Sequence, residues 1–156
     1  DSLTGLRNRT AAMDMLQQHL DDHEMSATLF VNLDGFKAVN DRFGHVTGDA
    51  VLLEVARRIA GRAQDADLVG RYGGDEFLVL MPPGTPKATV EKLAQDVIAD
   101  IRVPILAGGA TVEVGASIGI AEAAEPLTPT QVLRAADAAM YWAKTAGNSF
   151  RWAELP

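Results

Sequence analysis

The alternation of apolar and polar residues divides the chain into a few well-marked segments. From Arg9 to Leu20, the residues Ala12, Met13, Leu16 and Leu20 fall on one helical face and predict an amphipathic helix. Ala27 to Leu33 is short, rich in β-formers and apolar on both faces, as in a strand buried in the middle of a sheet. The stretch from Phe36 to Asp49 is dense in polar groups and glycine, and its pattern predicts a loop of the kind that carries binding groups. Helical spacing returns at Ala50. There Leu52, Val55, Ala56 and Ile59 share a face, and Arg57, Arg58 and Arg62 complement the negative end of the helix dipole.

Leu68 to Met81, LVGRYGGDEFLVLM, places two apolar runs around a glycine pair and two acids, the pattern of a β-hairpin. A turn at Gly73-Gly74 is expected to use positive φ and to carry Asp75 and Glu76 at its tip. Pro82-Pro83-Gly84 ends the second strand. A helix follows from Lys87 to Arg102, burying Val90, Leu93, Ala94, Val97 and Ile101. Gly108-Gly109 marks another turn, before a long strand from Thr111 to Ala121. A last helix, Thr130 to Thr145, buries Leu133, Ala136, Met140 and Ala143, and a short strand covers Phe150 to Trp152. This order predicts an α/β (α+β) domain with an antiparallel or mixed sheet and helices packed on it.

Composition narrows the function classes. A chain of 156 residues suits one domain with a sufficient core, and 47% apolar with 22% charged residues is ordinary for a globular protein. Nothing approaches the ~18 consecutive apolar residues of a membrane span. The opening on Asp1 has no signal-peptide pattern, and the missing initiator Met points to a piece of a longer protein. The lack of cysteine fits the cytoplasm. A net charge of −7 is the wrong sign for gripping long nucleic acid but compatible with a nucleotide that arrives with Mg²⁺.

Several motifs can be set aside. His19 and His23 stand four apart, but without the Glu of H-E-x-x-H and beside Asp21-Asp22 they read as a solvated helix face. Gly115-Ala116-Ser117-Ile118-Gly119 matches G-x-S-x-G, yet inside a strand pattern. There is no P-loop sequence. What remains is acidic. Neighbouring strands can bring Asp34 beside Asp75-Glu76, with Lys37, Arg71 and Lys144 nearby, and such a grouping suits two Mg²⁺ ions and a phosphate chain.

The segments DSLTGLRNR, LDGFKAVNDRFGHVTGD, RYGGDEF, ASIGIA and AADAAMYWAK, in this order, resemble the GGDEF family of diguanylate cyclases over essentially residues 1–156. The resemblance implies a palm-like, ferredoxin-like fold similar to class III nucleotidyl cyclases. It also implies condensation of two GTP, one on each of two transiently paired domains, to cyclic di-GMP and pyrophosphate. By the same resemblance, Asn40 and Asp49 read the guanine edge. The backbone around Phe36 and the side chains of Lys37 and Lys144 meet phosphate, and Gly73 and Gly74 admit the nucleotide. Asp75 and Glu76 are the catalytic acids, and Asp75, the Leu33 carbonyl and Asn32 hold Mg²⁺ or Mn²⁺. Apart from the resemblance, Asp49 also suits a helix cap or Asx turn. An attached sensor or EAL phosphodiesterase domain, and a membrane anchor elsewhere in the parent protein, are expected partners.

Three positions depart from the family pattern. Asn32 replaces a metal-binding aspartate and brings no charge. Asn148 replaces a phosphate-clamping arginine, leaving Arg151 as the alternative guanidinium. Gln64, in Gln64-Asp65-Ala66-Asp67, replaces the arginine of the product-inhibition motif, which predicts weak feedback. The expected function is therefore a diguanylate cyclase. The alternative is a degenerate GTP-binding module that regulates an attached domain.

Overall fold

The computed structural model describes residues 1–154. Strand β1 (Ser26–Asp34) is flanked on one side by β3 (Glu76–Leu80) and then β2 (Leu68–Arg71). On the other side lie β6 (Gly115–Ala123) and the short edge strand β7 (Phe150–Trp152), making a five-stranded sheet. All pairs are antiparallel except β6 with β7. A separate two-stranded ribbon joins β4 (Ile105–Ala107) to β5 (Ala110–Val112) around Gly108-Gly109.

Period-two alternation sends successive side chains of β1 to opposite faces. Leu29, Val31 and Leu33 join Phe77, Val79, Ile118 and Ile120 under α3 (His45–Arg62) and α4 (Lys87–Arg102). Phe30, with Leu78, Leu80 and Ala121, packs under α1 (Arg9–Asp21) and α5 (Pro129–Ala146). A strand buried on both faces reads as a continuous apolar run, which is why β1 was visible in the sequence. The buried stripes of α4 and α5 contain every residue expected of them.

Four expectations need correction. The polar stretch 36–49 is not a loop. Phe36–Phe43 forms α2, and α3 begins at His45, with Gly44 between them at φ 88°. Only Phe36 and Val39 of α2 are buried, and a single eight-residue helix with so narrow an apolar stripe looks polar in sequence. Asp49 consequently lies inside α3 rather than capping it. The expected strand Thr111–Ala121 is broken at Glu113-Val114 into β5 and β6. Finally, His19 is buried, not solvated, with Nε2 2.8 Å from Asp67 Oδ2 and Nδ1 3.0 Å from Ser26 Oγ. It ties α1 to the sheet, while His23 faces Glu125 at 2.7 Å, so the two rings share no site.

α5 crosses β6 so closely that a Cβ on Gly119 would lie 1.8 Å from the Ala136 carbonyl oxygen and 2.4 Å from the Met140 nitrogen. Both are helix backbone and cannot swing aside. Gly119→Ala is expected to destabilise the fold by about 3 kcal/mol or more in denaturant unfolding. A loss under about 1 kcal/mol would show that the helix can lift off the sheet freely.

Candidate functional site

The end of β1 is where polar groups gather. Its register sets Asn32 opposite Glu76 of β3 and Ser117 of β6, and Asp34 opposite Gly115. The ladder continues into the hairpin turn, where Leu33 N–H donates to the Asp75 carbonyl at 3.2 Å. Asn32 Nδ2 donates to Asp75 Oδ1 at 3.4 Å. A neutral amide thus meets the carboxylate of the turn, and the end of the strand carries one charge less than a pair of acids would.

Asp34 takes different partners from those expected. Rather than joining Asp75, it accepts the Ser117 hydroxyl (2.9 Å to each oxygen), the Lys144 ammonium (3.0 Å) and the Asn148 backbone N–H (3.2 Å). Lys144 also donates to the Leu33 carbonyl at 3.4 Å. Asn148 adopts φ 47°, and its side-chain oxygen accepts the Ala116 N–H at 3.3 Å, so it fastens the chain after α5 to β6. Arg151 stacks on Trp142, its guanidinium 5.7 Å from the ring centroid, and does not reach the site. Arg71 is likewise engaged, holding the carbonyls of Gly73 and Gly74 and the Asp1 carboxylate.

The hairpin turn closes without positive φ at Gly73 or Gly74, contrary to expectation. A Cβ on Gly73 would lie 2.7 Å from Glu76 Oε1, the flexible end of a side chain that can swing aside. Gly74 is open. Glu76, the first residue of β3, lines a cavity of about 240 Å³ between α1, the hairpin and α5, with Arg9, Phe30, Tyr72, Arg134 and Asp137. Burial pushes its carboxyl up from the ordinary glutamate value, the Asp75 and Asp137 carboxylates push the same way, and Arg9 opposes them. A larger cavity between α3 and α4, about 490 Å³, is lined by Arg57, Arg58 and Arg62, whose guanidiniums are engaged by Glu54 and by Asp100.

The second half of the site lies on α2 and α3. Asn40 Oδ1 is buried and has no hydrogen-bond partner. It fits there because Gly48 of α3 has no side chain, since a Cβ would sit 1.9 Å from that oxygen. Asp49 follows on the exposed side of the same turn. An orphan acceptor beside a carboxylate suits a ligand edge bearing neighbouring N–H donors. Between the two halves, the first intrahelical bond of α2 starts at Val39 N–H, so the N–H groups of residues 36–38 precede the ladder. Phe36 is buried and contributes backbone, and Lys37 is exposed beside it.

Asp75 in the hairpin turn, with the Leu33 carbonyl and Asn32 at the end of β1, offers hard oxygen donors of the kind that suit a cation such as Mg²⁺. Among the described residues no group of three or more His, Cys, Asp or Glu could hold a metal by itself. A cation here would have to complete its shell with ligand phosphates. The product-inhibition position is tied up: Gln64 donates to the Gly61 carbonyl at 3.1 Å, and Asp67 is held by His19. Sequence reasoning missed Ser117, Arg134 and Asp137. Ser117 could have been found from its in-phase position opposite β1, but the other two carry only a helix-surface pattern.

Residues 1–149 match the family described as diguanylate cyclase, GGDEF domain. The chain is similar to the diguanylate cyclase TpbB of Pseudomonas aeruginosa, at 45% identity over 162 residues, which covers 99% of this chain and 37% of that protein. It is also similar to the bifunctional diguanylate cyclase/cyclic di-GMP phosphodiesterase MucR of the same organism, at 42% over 154 residues, 96% of this chain and 22% of that one. The solved GGDEF domain of TpbB superposes with a TM-score of 0.91 at 43% identity, covering 99% of this chain and 94% of that one. The chain thus spans little more than a third of the curated relative TpbB.

The raised Glu76 carboxyl gives a prediction with a definite sign. The folded state binds this proton more tightly than the unfolded chain, so stability falls as pH rises through the interval between the two values. Above that interval the penalty is complete. Glu76→Gln is expected to lose this slope and to gain stability relative to the parent between pH 4 and pH 8, measured by thermal unfolding. An unchanged difference across that range would show that Glu76 ionises as freely folded as unfolded.

Proposed function

The chain belongs to the GGDEF family of diguanylate cyclase domains, and we propose that it binds GTP at the end of β1 and condenses two GTP to cyclic di-GMP as one of two facing domains. The observation that carries this reading is the buried, unpartnered Asn40 Oδ1 in the space left by Gly48. Guanine presents adjacent N–H donors, so its amino group would satisfy that oxygen while Asp49 takes the rest of the edge. Adenine offers no such pair. The triphosphate then runs over the start of α2, past the N–H groups of residues 36–38 and Lys37, towards Lys144.

In the reaction, the 3′-hydroxyl of one GTP attacks the α-phosphorus of the other. A new 3′-oxygen–phosphorus bond forms as the bond to pyrophosphate breaks, and this happens twice per product. Mg²⁺ or Mn²⁺, when bound, would neutralise the charge gathering on the phosphates. Asp75 would hold it with the Leu33 carbonyl and Asn32, and the same carboxylate would accept the hydroxyl proton. Glu76, the second acid of the turn, faces its own cavity between α1 and α5. Because each domain holds one nucleotide, the pair is obligatory and the rate depends on protein concentration. The domain works inside a longer cytoplasmic signalling protein, whose remaining segments supply the input.

A second reading is favoured by one observation. Asn32 brings an amide, not a carboxylate, to Asp75. A site so short of charge would bind GTP and regulate an attached domain, such as the phosphodiesterase with which a cyclase is joined in MucR.

The test is chromatographic detection of cyclic di-GMP from GTP with Mg²⁺ or Mn²⁺ at high protein concentration. The parent is expected to form product, and Asp75→Ala to lose at least about a hundredfold in rate, as several kcal/mol of charge stabilisation disappears. Asn32→Asp should be faster and need less metal. A silent parent beside an active Asn32→Asp would establish the second reading.

A further inference from the structure

We propose that Asp34 is a positioning residue for Lys144, holding its ammonium at the β1 end where it meets the nucleotide's phosphate chain. The inference rests on the GTP reading above. Lysine is a strongly hydrated point charge on a flexible four-carbon stem, and an unrestrained one samples many rotamers. Here Lys144 Nζ is fixed by two acceptors on β1, Asp34 Oδ1 at 3.0 Å and the Leu33 carbonyl at 3.4 Å. An ammonium has three donors, so one remains for a ligand.

Asp34 is itself fixed more firmly than an ordinary surface carboxylate. Ser117 is fully buried in β6, so its hydroxyl has no water to turn to and donates to Asp34. The Asn148 N–H takes the other oxygen, and it is brought there by the turn after α5, where Gly147 and Asn148 both have positive φ. Three elements, β6, the end of α5 and the turn behind it, therefore converge on one carboxylate. The carboxylate also faces Lys144 rather than Asp75, so it adds no ligand to the metal centre and instead sets the position of a cation beside the Leu33 carbonyl. The sequence motif around Ser117, which no serine chemistry explains, acquires a role in this arrangement.

A double-mutant cycle separates this from a merely structural tie. Binding of an α,β-methylene analogue of GTP, which cannot release pyrophosphate, is measured with Mg²⁺ by calorimetry on the parent, Asp34→Asn, Lys144→Met and the double variant. Thermal melts check that each is folded. Asp34→Asn is expected to weaken binding roughly five- to tenfold in the parent background, but less than about twofold once Lys144 is Met. Should Asp34→Asn fail to fold, Ser117→Ala serves instead, since it keeps the carboxylate and removes the hydroxyl that aims it. Its smaller loss should vanish in the Lys144→Met background too. Equal losses in both backgrounds, or no loss in either, would overturn the positioning role while leaving nucleotide binding intact. A folded parent that binds no analogue would overturn both the role and the GTP reading.

Discussion

Strand β1 is hydrogen-bonded along both edges, to β3 on one side and β6 on the other, and its register with each decides what the site contains. A slip of one residue in either pairing would turn every side chain of β1 to the opposite face of the sheet, because side chains alternate. Leu29, Val31 and Leu33 would then lose their places in the core under α3 and α4, where each is nearly or wholly inaccessible. Burial of such side chains is worth about 1.5–3 kcal/mol each, so the register is held by the core rather than by the polar residues at its end. Asn32 and Asp34 inherit their positions from that packing.

From this fixed end the polar groups sort themselves by face and by neighbour. Asn32, one step before the turn, meets Asp75, while Asp34, two residues further along, meets Ser117 and Lys144. The carboxylates of Asp34 and Asp75 thereby take separate partners. Asp75 is left to the Asn32 amide and Asp34 to the lysine. Glu76 is separated further by opening β3 towards α1 and α5, where the burial that raises its carboxyl is offset only by Arg9. The other half of the candidate site lies beyond, on α2 and α3, where Gly48 leaves room for the Asn40 amide.

The sequence disclosed the sheet and the long helices because their apolar periods are clean over many residues, as in Val90 to Ile101 of α4. It concealed α2, whose eight residues bury only Phe36 and Val39, and the break between β5 and β6. Of the candidate site, Asp75, Asn40, Asp49 and Lys144 were singled out from spaced motifs. Their partners were not, since nothing local states that Arg71 folds back on the carbonyls of Gly73 and Gly74, or that Asp67 meets a histidine in α1. Such contacts arise from tertiary placement, and the side chains that make them carry ordinary surface patterns.

The most direct test of the account is nuclear magnetic resonance of the Asn40 side-chain amide and the Gly48 backbone N–H during titration with GTP and, separately, ATP, each with Mg²⁺. The account predicts saturable shifts at both positions with GTP and none comparable with ATP, as the orphan oxygen gains a guanine donor. Shifts of equal size with both nucleotides, or none with GTP at concentrations that perturb Lys37, would contradict it.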